Sequence, residues 1–285
     1  MDRIRRWLAA IGAMIVALLS GCMRAVPSIA PEKVQSQMVS VYLGQKNDDF
    51  VQAFLDGAHT YLKQQDAVQL QLLESPEQLS EETDMVVTYE EEASCFASAE
   101  LLLLEESESS IVVLGKEIGQ QLFSDLQERG AEVPQIYFLG ANEAADWQYA
   151  LYAEIQENFA QGGESVALQE KIVSGEQATK WLEGHPGELA VVAADAQVAL
   201  YLRQGAIEAG RQHQICIFSL EYSREIEQAI RMALIYGALL ENPMQMGENI
   251  ARELQREAIT APGRMIICRA NLDLPEIKMM RALSE

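Results

Sequence analysis

The sequence predicts an α/β protein of two lobes, each a parallel sheet flanked by helices. From residue 38 onward, short apolar runs of strand type alternate with amphipathic helical segments, the pattern of βα units joined by right-handed crossovers. These units amount to roughly ten strands over ~240 residues, which divide more readily into two sheets than grow as one. With 49% of its 285 residues hydrophobic, the chain has enough apolar side chain for one large core or two modest ones.

Residues 39–43 read as the first strand, and Val51, Phe54, Leu55, Ala58 and Leu62 follow at helical spacing behind the acidic pair Asp48 and Asp49. Residues 68–73 alternate as a strand. Ser75, Pro76 and Gln78 have the order of a capping box, so a short helix leads to a strand at 85–87. Residues 74–83 are few for a crossover, which predicts a shortened first lobe. A helix is expected over 93–104, a strand over 111–114, a helix over 118–126, a strand over 136–139 and a helix over 147–159. The rhythm continues with strand 167–173, helix 176–182, strand 189–193, helix 196–209, strand 215–220 and helix 223–232. Ligands of such folds sit beyond the carboxyl ends of the strands, here in the cleft between lobes.

Ahead of the first strand, Arg3, Arg5 and Arg6 precede a 13-residue apolar stretch at 7–19, closed by Leu19, Ser20, Gly21 and Cys22. As a helix that stretch covers only about 20 Å of the roughly 30 Å hydrocarbon core, so it reads as an export signal rather than a membrane span. Its end resembles the lipobox of bacterial lipoproteins. The resemblance implies a signal peptide over 1–21, lipidation of Cys22 (palmitate among the acyl chains) and an extracytoplasmic chain anchored to the cell membrane. The alternative is a plain signal peptide with an incidental cysteine. Residues 22–37 carry two prolines and no periodicity, as a flexible linker would. Three cysteines remain, Cys95, Cys216 and Cys268; the last two lie in strand-like runs and read as buried thiols, with one disulfide among the three left open. A net charge of −22 disfavours binding to nucleic acid or to anionic headgroups.

Four segments resemble one family in order and spacing. They are Val-Tyr-Leu-Gly-Gln-Lys-Asn-Asp-Asp-Phe at 41–50, Val-Val-Ala-Ala-Asp at 191–195, Ile-Phe-Ser-Leu-Glu at 217–221 and Ala-Leu-Leu-Glu-Asn-Pro-Met-Gln-Met-Gly at 238–247. The chain from about residue 38 to 270 is similar to the type I periplasmic solute-binding proteins, nearest the glucose/galactose- and ribose-binding branch. That resemblance implies a two-lobed fold with an N-lobe of residues 38–116 plus 242–264 and a C-lobe of residues 117–241 plus 265–285.

It also implies the pocket. Phe50 stands where the family stacks an aromatic ring on a sugar; alternatively it is the first core residue of its helix. Asp48 and Asp49 accept ligand hydroxyls or, equally, complement the helix dipole. Lys116 matches a ligand-binding cation at a strand end, or is a solvated surface lysine. The family's arginine after Leu139 and Gly140 is absent, leaving Trp147 or Gln148 in its place. Ala194 stands where an asparagine is common, and Glu221 and Glu241 occupy positions where the family has an aspartate and an amide. These carboxylates favour a donor-rich or cationic ligand. Asp195 reads as a helix N-cap.

No nucleophile elbow, phosphate loop or zinc motif is present, and His59, His185 and His213 lack ligand spacing, so neither an enzyme, a cofactor nor a metal is expected. The leading expectation is a monomeric, lipid-anchored receptor that captures a small polar solute, of carbohydrate type, between its lobes for an ABC-transporter permease. The alternative is a diverged lipoprotein of the same fold serving a membrane sensor, with or without a ligand.

Overall fold

The computed structural model describes residues 37–62, 68–132, 134–140, 145–159, 170–259 and 261–284. The expected signal peptide, the expected lipidation site Cys22, the expected linker up to residue 36 and the start of the strand expected at 167–173 lie outside the described residues.

Two sheets organise the unit of residues 37–285. The first has four parallel strands, β1 (Gln37–Val41), β2 (Val68–Leu72), β3 (Met85–Thr88) and β4 (Leu101–Leu103), in the order β2-β1-β3-β4. The second contains β5 (Gln135–Gly140), β6 (Glu170–Lys171), β7 (Leu189–Ala193), β8 (Ile215–Ser219), β9 (Gly237–Glu241) and β10 (Arg264–Cys268), in the order β10-β9-β8-β7-β5-β6. Among the described strands only β10 runs antiparallel to its neighbour.

On one face of the first sheet, α1 (Asp48–Leu62) joins α7 (Pro243–Leu254), which arrives from far along the chain. Val39, Val41, Phe50, Phe54, Met246 and Ile250 close that core. The two helices touch backbone to backbone: a methyl group on Gly57 would collide with the carbonyl of Met244, and one on Gly247 with the carbonyl of Phe54. The other face is thin. Two 3-10 turns, Pro76–Gln78 and Glu90–Phe96, cover a small cluster of Leu73, Val86 and Phe96 where a helix would normally lie. The shortened lobe is therefore a sheet with helices on one side. Ser75 makes no side-chain cap; Gln78 accepts instead from the backbone N–H of Glu74 at 2.8 Å.

The second sheet is covered on both faces. Helices α2 (Glu108–Glu128) and α3 (Asp146–Phe159) pack on one side, with Ile111, Ile118, Ile155 and Phe218 in the core. The other side is covered by α4 (Gly175–Gly184), α5 (Ala196–Glu208), α6 (Arg224–Arg231) and α8 (Pro275–Ser284). α8 was not expected from the sequence.

Two expectations are corrected. The helix expected over 93–104 is the second 3-10 turn followed by β4. The strand expected at 111–114 is the first part of α2, whose N-cap Ser107 accepts the N–H of Ser110. Ile-Val-Val-Leu has strand propensity, but Ile111, Leu114, Ile118, Leu122 and Leu126 lie at helical spacing and are all buried, while Val112 and Val113 are exposed. Packing overrides local preference here. The lobe boundary expected between 116 and 117 consequently falls inside α2, which packs on the second sheet.

Candidate functional site

A chain of alternating charges runs along the carboxyl ends of the strands. Antiparallel pairing sets its centre: the first residue of β10, Arg264, lies opposite the last of β9, Glu241. The Arg264 guanidinium reaches Glu241 Oε1 at 3.6 Å and Glu106 Oε1 at 3.4 Å. Glu106 stands just past β4 and also accepts the backbone N–H of Gly263 at 3.2 Å. On the other side of Glu241, its Oε2 receives the Lys46 ammonium at 2.5 Å, and Tyr89 donates to its Oε1 at 3.3 Å. The sequence of charges is Glu106, Arg264, Glu241, Lys46, two of each sign.

Aromatic rings line both cations. Arg264 lies 4.2 Å from the centroid of the Trp147 ring, and Lys46 Nζ lies 4.9 Å from that of Phe50 and 5.0 Å from that of Tyr89. Burial is graded along the chain: the side chains of Glu106, Arg264, Glu241 and Lys46 are 2%, 9%, 20% and 35% exposed. Burial pushes the Glu106 carboxyl above its ordinary range, opposed in part by Arg264 and the Gly263 N–H. Three chain passages between the two sheets meet here, at Glu106, Glu241 and Arg264, so this cluster is also their cross-link.

Lys46 is placed by a turn. Gly44 takes the left-handed conformation (φ 62°), and Asn47 then caps α1 by accepting the Phe50 N–H at 2.8 Å while donating to the Leu283 carbonyl of α8 at 2.9 Å. Asp48 and Asp49 follow as exposed first-turn residues. Phe50 is fully buried in the first core, and its ring carries the Lys46 ammonium.

The other expected site residues scatter. Lys116 is exposed midway along α2; no strand ends there, because the strand of the expectation is helix. Gln148 is buried, donating to the Ala194 carbonyl at 2.9 Å and accepting the Ala145 N–H at 3.0 Å, which pins α3 to β7. Glu221 is exposed and accepts the Ala196 N–H at 3.2 Å; with Asp195, which accepts from Val198 at 2.7 Å, it caps α5. Of the eight expected ligand residues, Phe50, Trp147 and Glu241 come together. Lys46, Tyr89, Glu106 and Arg264 complete the cluster, although none of them was expected as a ligand residue. Lys46 lies within the 41–50 segment itself and Arg264 at the start of an apolar run, so both had a positional signal. Arg264 places its guanidinium over the ring of Trp147, the residue that the resemblance offers in place of the missing arginine.

No protein-family model and no curated protein sequence matches the chain. Solved structures do match it in fold. A complex of XylFII with LytSN, in mutant form, has a TM-score of 0.62 at 11% identity, covering 84% of this chain and 100% of the other. A solute-binding protein of an ABC transporter from Agrobacterium vitis, bound to α-D-tagatopyranose, has a TM-score of 0.58 at 12% identity over 86% of this chain and 99% of its own. GanP, a glucose-galactose binding protein from Geobacillus stearothermophilus, has a TM-score of 0.58 at 16% identity over 85% of this chain and 100% of its own. The chain thus has the periplasmic-binding-protein fold of type I. The sugar-binding neighbours are binding proteins rather than enzymes.

Proposed function

We propose that the chain is a lipid-anchored extracytoplasmic binding protein that holds a small polar, sugar-like ligand at the Lys46–Tyr89–Glu241–Arg264 cluster and presents it to an ABC-transporter permease. The convergence of those four side chains at strand carboxyl ends carries the reading. They offer one carboxylate acceptor, a phenol and two cationic donors between two sheets, where a fold of this type concentrates polar recognition. Sugars bound to neighbours of the same fold add support for the ligand class, and the lipobox-like end at Cys22 supports the anchor.

A thermal-shift screen across sugars, polyols, nucleosides and polyamines tests the capture. A true ligand at 100 times its Kd stabilises the protein by about 2.7 kcal/mol, and Glu241→Gln should weaken its binding. A wild-type protein indifferent to every solute would sink the proposal. The anchor has its own test: Cys22→Ala should abolish lipidation, and a processed mutant that still enters the detergent phase would count against it.

A second reading, a partner of a membrane sensor, rests on a specific observation. The carboxylates of the cluster are already paired internally, and one neighbour of this fold was solved in complex with LytSN. A ligand-independent complex with a sensor ectodomain, measured by calorimetry, would favour it.

A further inference from the structure

We infer that Lys46 is a built-in occupant of an ammonium subsite formed by Phe50, Tyr89 and Glu241, and that the ligand this subsite takes is a primary ammonium compound that displaces it. The inference rests on reading the strand-end cluster as the ligand site, and names the chemistry of one part of it.

Three walls surround the Lys46 Nζ. Two are aromatic faces at 4.9 and 5.0 Å and the third is the Glu241 Oε2 at 2.5 Å. Ring quadrupoles and a carboxylate together recognise a cation, and the three donors of an ammonium suit one strong carboxylate bond with others left for hydroxyls or water. A neutral sugar ring alone cannot replace what Lys46 contributes to that acceptor.

The two cations of the cluster are not equally removable. Arg264 is 9% exposed and shared between two carboxylates, with its guanidinium against Trp147. Lys46 is 35% exposed and is borne on a turn with a four-carbon stem, so it can leave for water without a backbone change. Its departure frees Oε2, while Tyr89 and Arg264 still hold Oε1 in place. The face of Phe50 that it covers becomes open. The net charge of −22 raises the local concentration of cations and disfavours anionic competitors.

Tethering gives Lys46 an effective concentration of about millimolar or more, so a simple monoamine competes poorly in the wild type. An ammonium carrying further hydroxyl or ammonium arms gains contacts to the neighbouring polar groups of the cluster and wins. Truncating Lys46 should therefore expose the subsite to even the simplest amine.

Calorimetry with n-butylammonium chloride on wild type, Lys46→Ala and Lys46→Ala/Glu241→Gln, at matched ionic strength and with 1-butanol as the neutral control, decides the matter. Lys46→Ala should bind n-butylammonium at least about tenfold more tightly than wild type, with affinity falling as salt rises, and the double variant should lose the gain. Near-ultraviolet dichroism checks the fold; if Lys46→Ala loses its signal, Lys46→Ser is used in the same comparison. A folded truncation that binds n-butylammonium no better than wild type, or binds 1-butanol equally well, overturns the assignment. The two proposals fail separately. A neutral sugar that binds wild type and Lys46→Ala alike, with n-butylammonium inert, removes the ammonium subsite and leaves capture standing. Binding of n-butylammonium by Lys46→Ala, with wild type silent to the whole solute screen, keeps the subsite and removes capture.

Discussion

Glu106 is the side chain at which burial and pairing compete most directly. Its folded carboxyl resists ionisation more than in the unfolded chain because desolvation outweighs the help of Arg264. A raised carboxylate stabilises the fold fully below its ordinary value of 4.5 and loses that contribution as pH rises through the higher folded value. In urea titrations from about pH 4 to pH 8, the stability of wild type relative to Glu106→Gln should therefore decline with rising pH; an increase would contradict the assignment. Cysteine reactivity gives a second residue-level test. Cys95 is exposed, Cys268 half-buried and Cys216 buried, all three free, and burial pushes the Cys216 thiol well up. A disulfide-exchange reagent should label Cys95 at once, Cys268 more slowly and Cys216 only on unfolding. Prompt labelling of Cys216 in the folded protein would mean that β8 is not packed as described.

At the scale of elements, the tightest joint is between α1 and α7. Gly57→Ala and Gly247→Ala should each destabilise the protein by roughly 1 to 3 kcal/mol, because the added methyl meets backbone that cannot step aside. Gly184→Ala, at the end of α4 with nothing within 4 Å of an added methyl, serves as the control and should be neutral or better. Equal unfolding midpoints for all three would refute the close approach. Elements whose pattern is local were legible in the sequence: β7 coincides with the expected residues 189–193, and α5 starts at the expected residue 196 behind its Asp195 cap. α2 and β4 were not, because Ile-Val-Val-Leu and Leu-Leu-Leu have similar local preferences and only the surface they pack on separates helix from strand. The site shows the same divide. Phe50 and Glu241 could be placed from their own segments, but the Lys46 to Glu241 pairing spans 195 positions and depends on how β9 and β10 register.

For the whole molecule, the excess of 43 acidic over 21 basic residues means that folding concentrates like charge. Screening should help: the melting temperature at neutral pH should rise as NaCl goes from about 10 mM to about 150 mM, and a fall would show that attractive pairs dominate instead. In scattering experiments, a ligand that bridges the two sheets should reduce the radius of gyration, whereas a tight ligand that leaves it unchanged would argue against hinge closure. The late arrival of α7 bears on the order of events during synthesis. The core built on β1 and α1 is finished only by Met246 and Ile250, some two hundred residues downstream, so the amino-terminal sheet has no complete hydrophobic face while the chain is still being made. Loop closure over that distance delays its folding until nearly the entire polypeptide is available. Were the first residues to act as the export leader they resemble, that delay would keep the emerging polypeptide pliable enough to be threaded through a narrow channel, and would leave the final tightening of α7 onto α1 for the far side of the membrane.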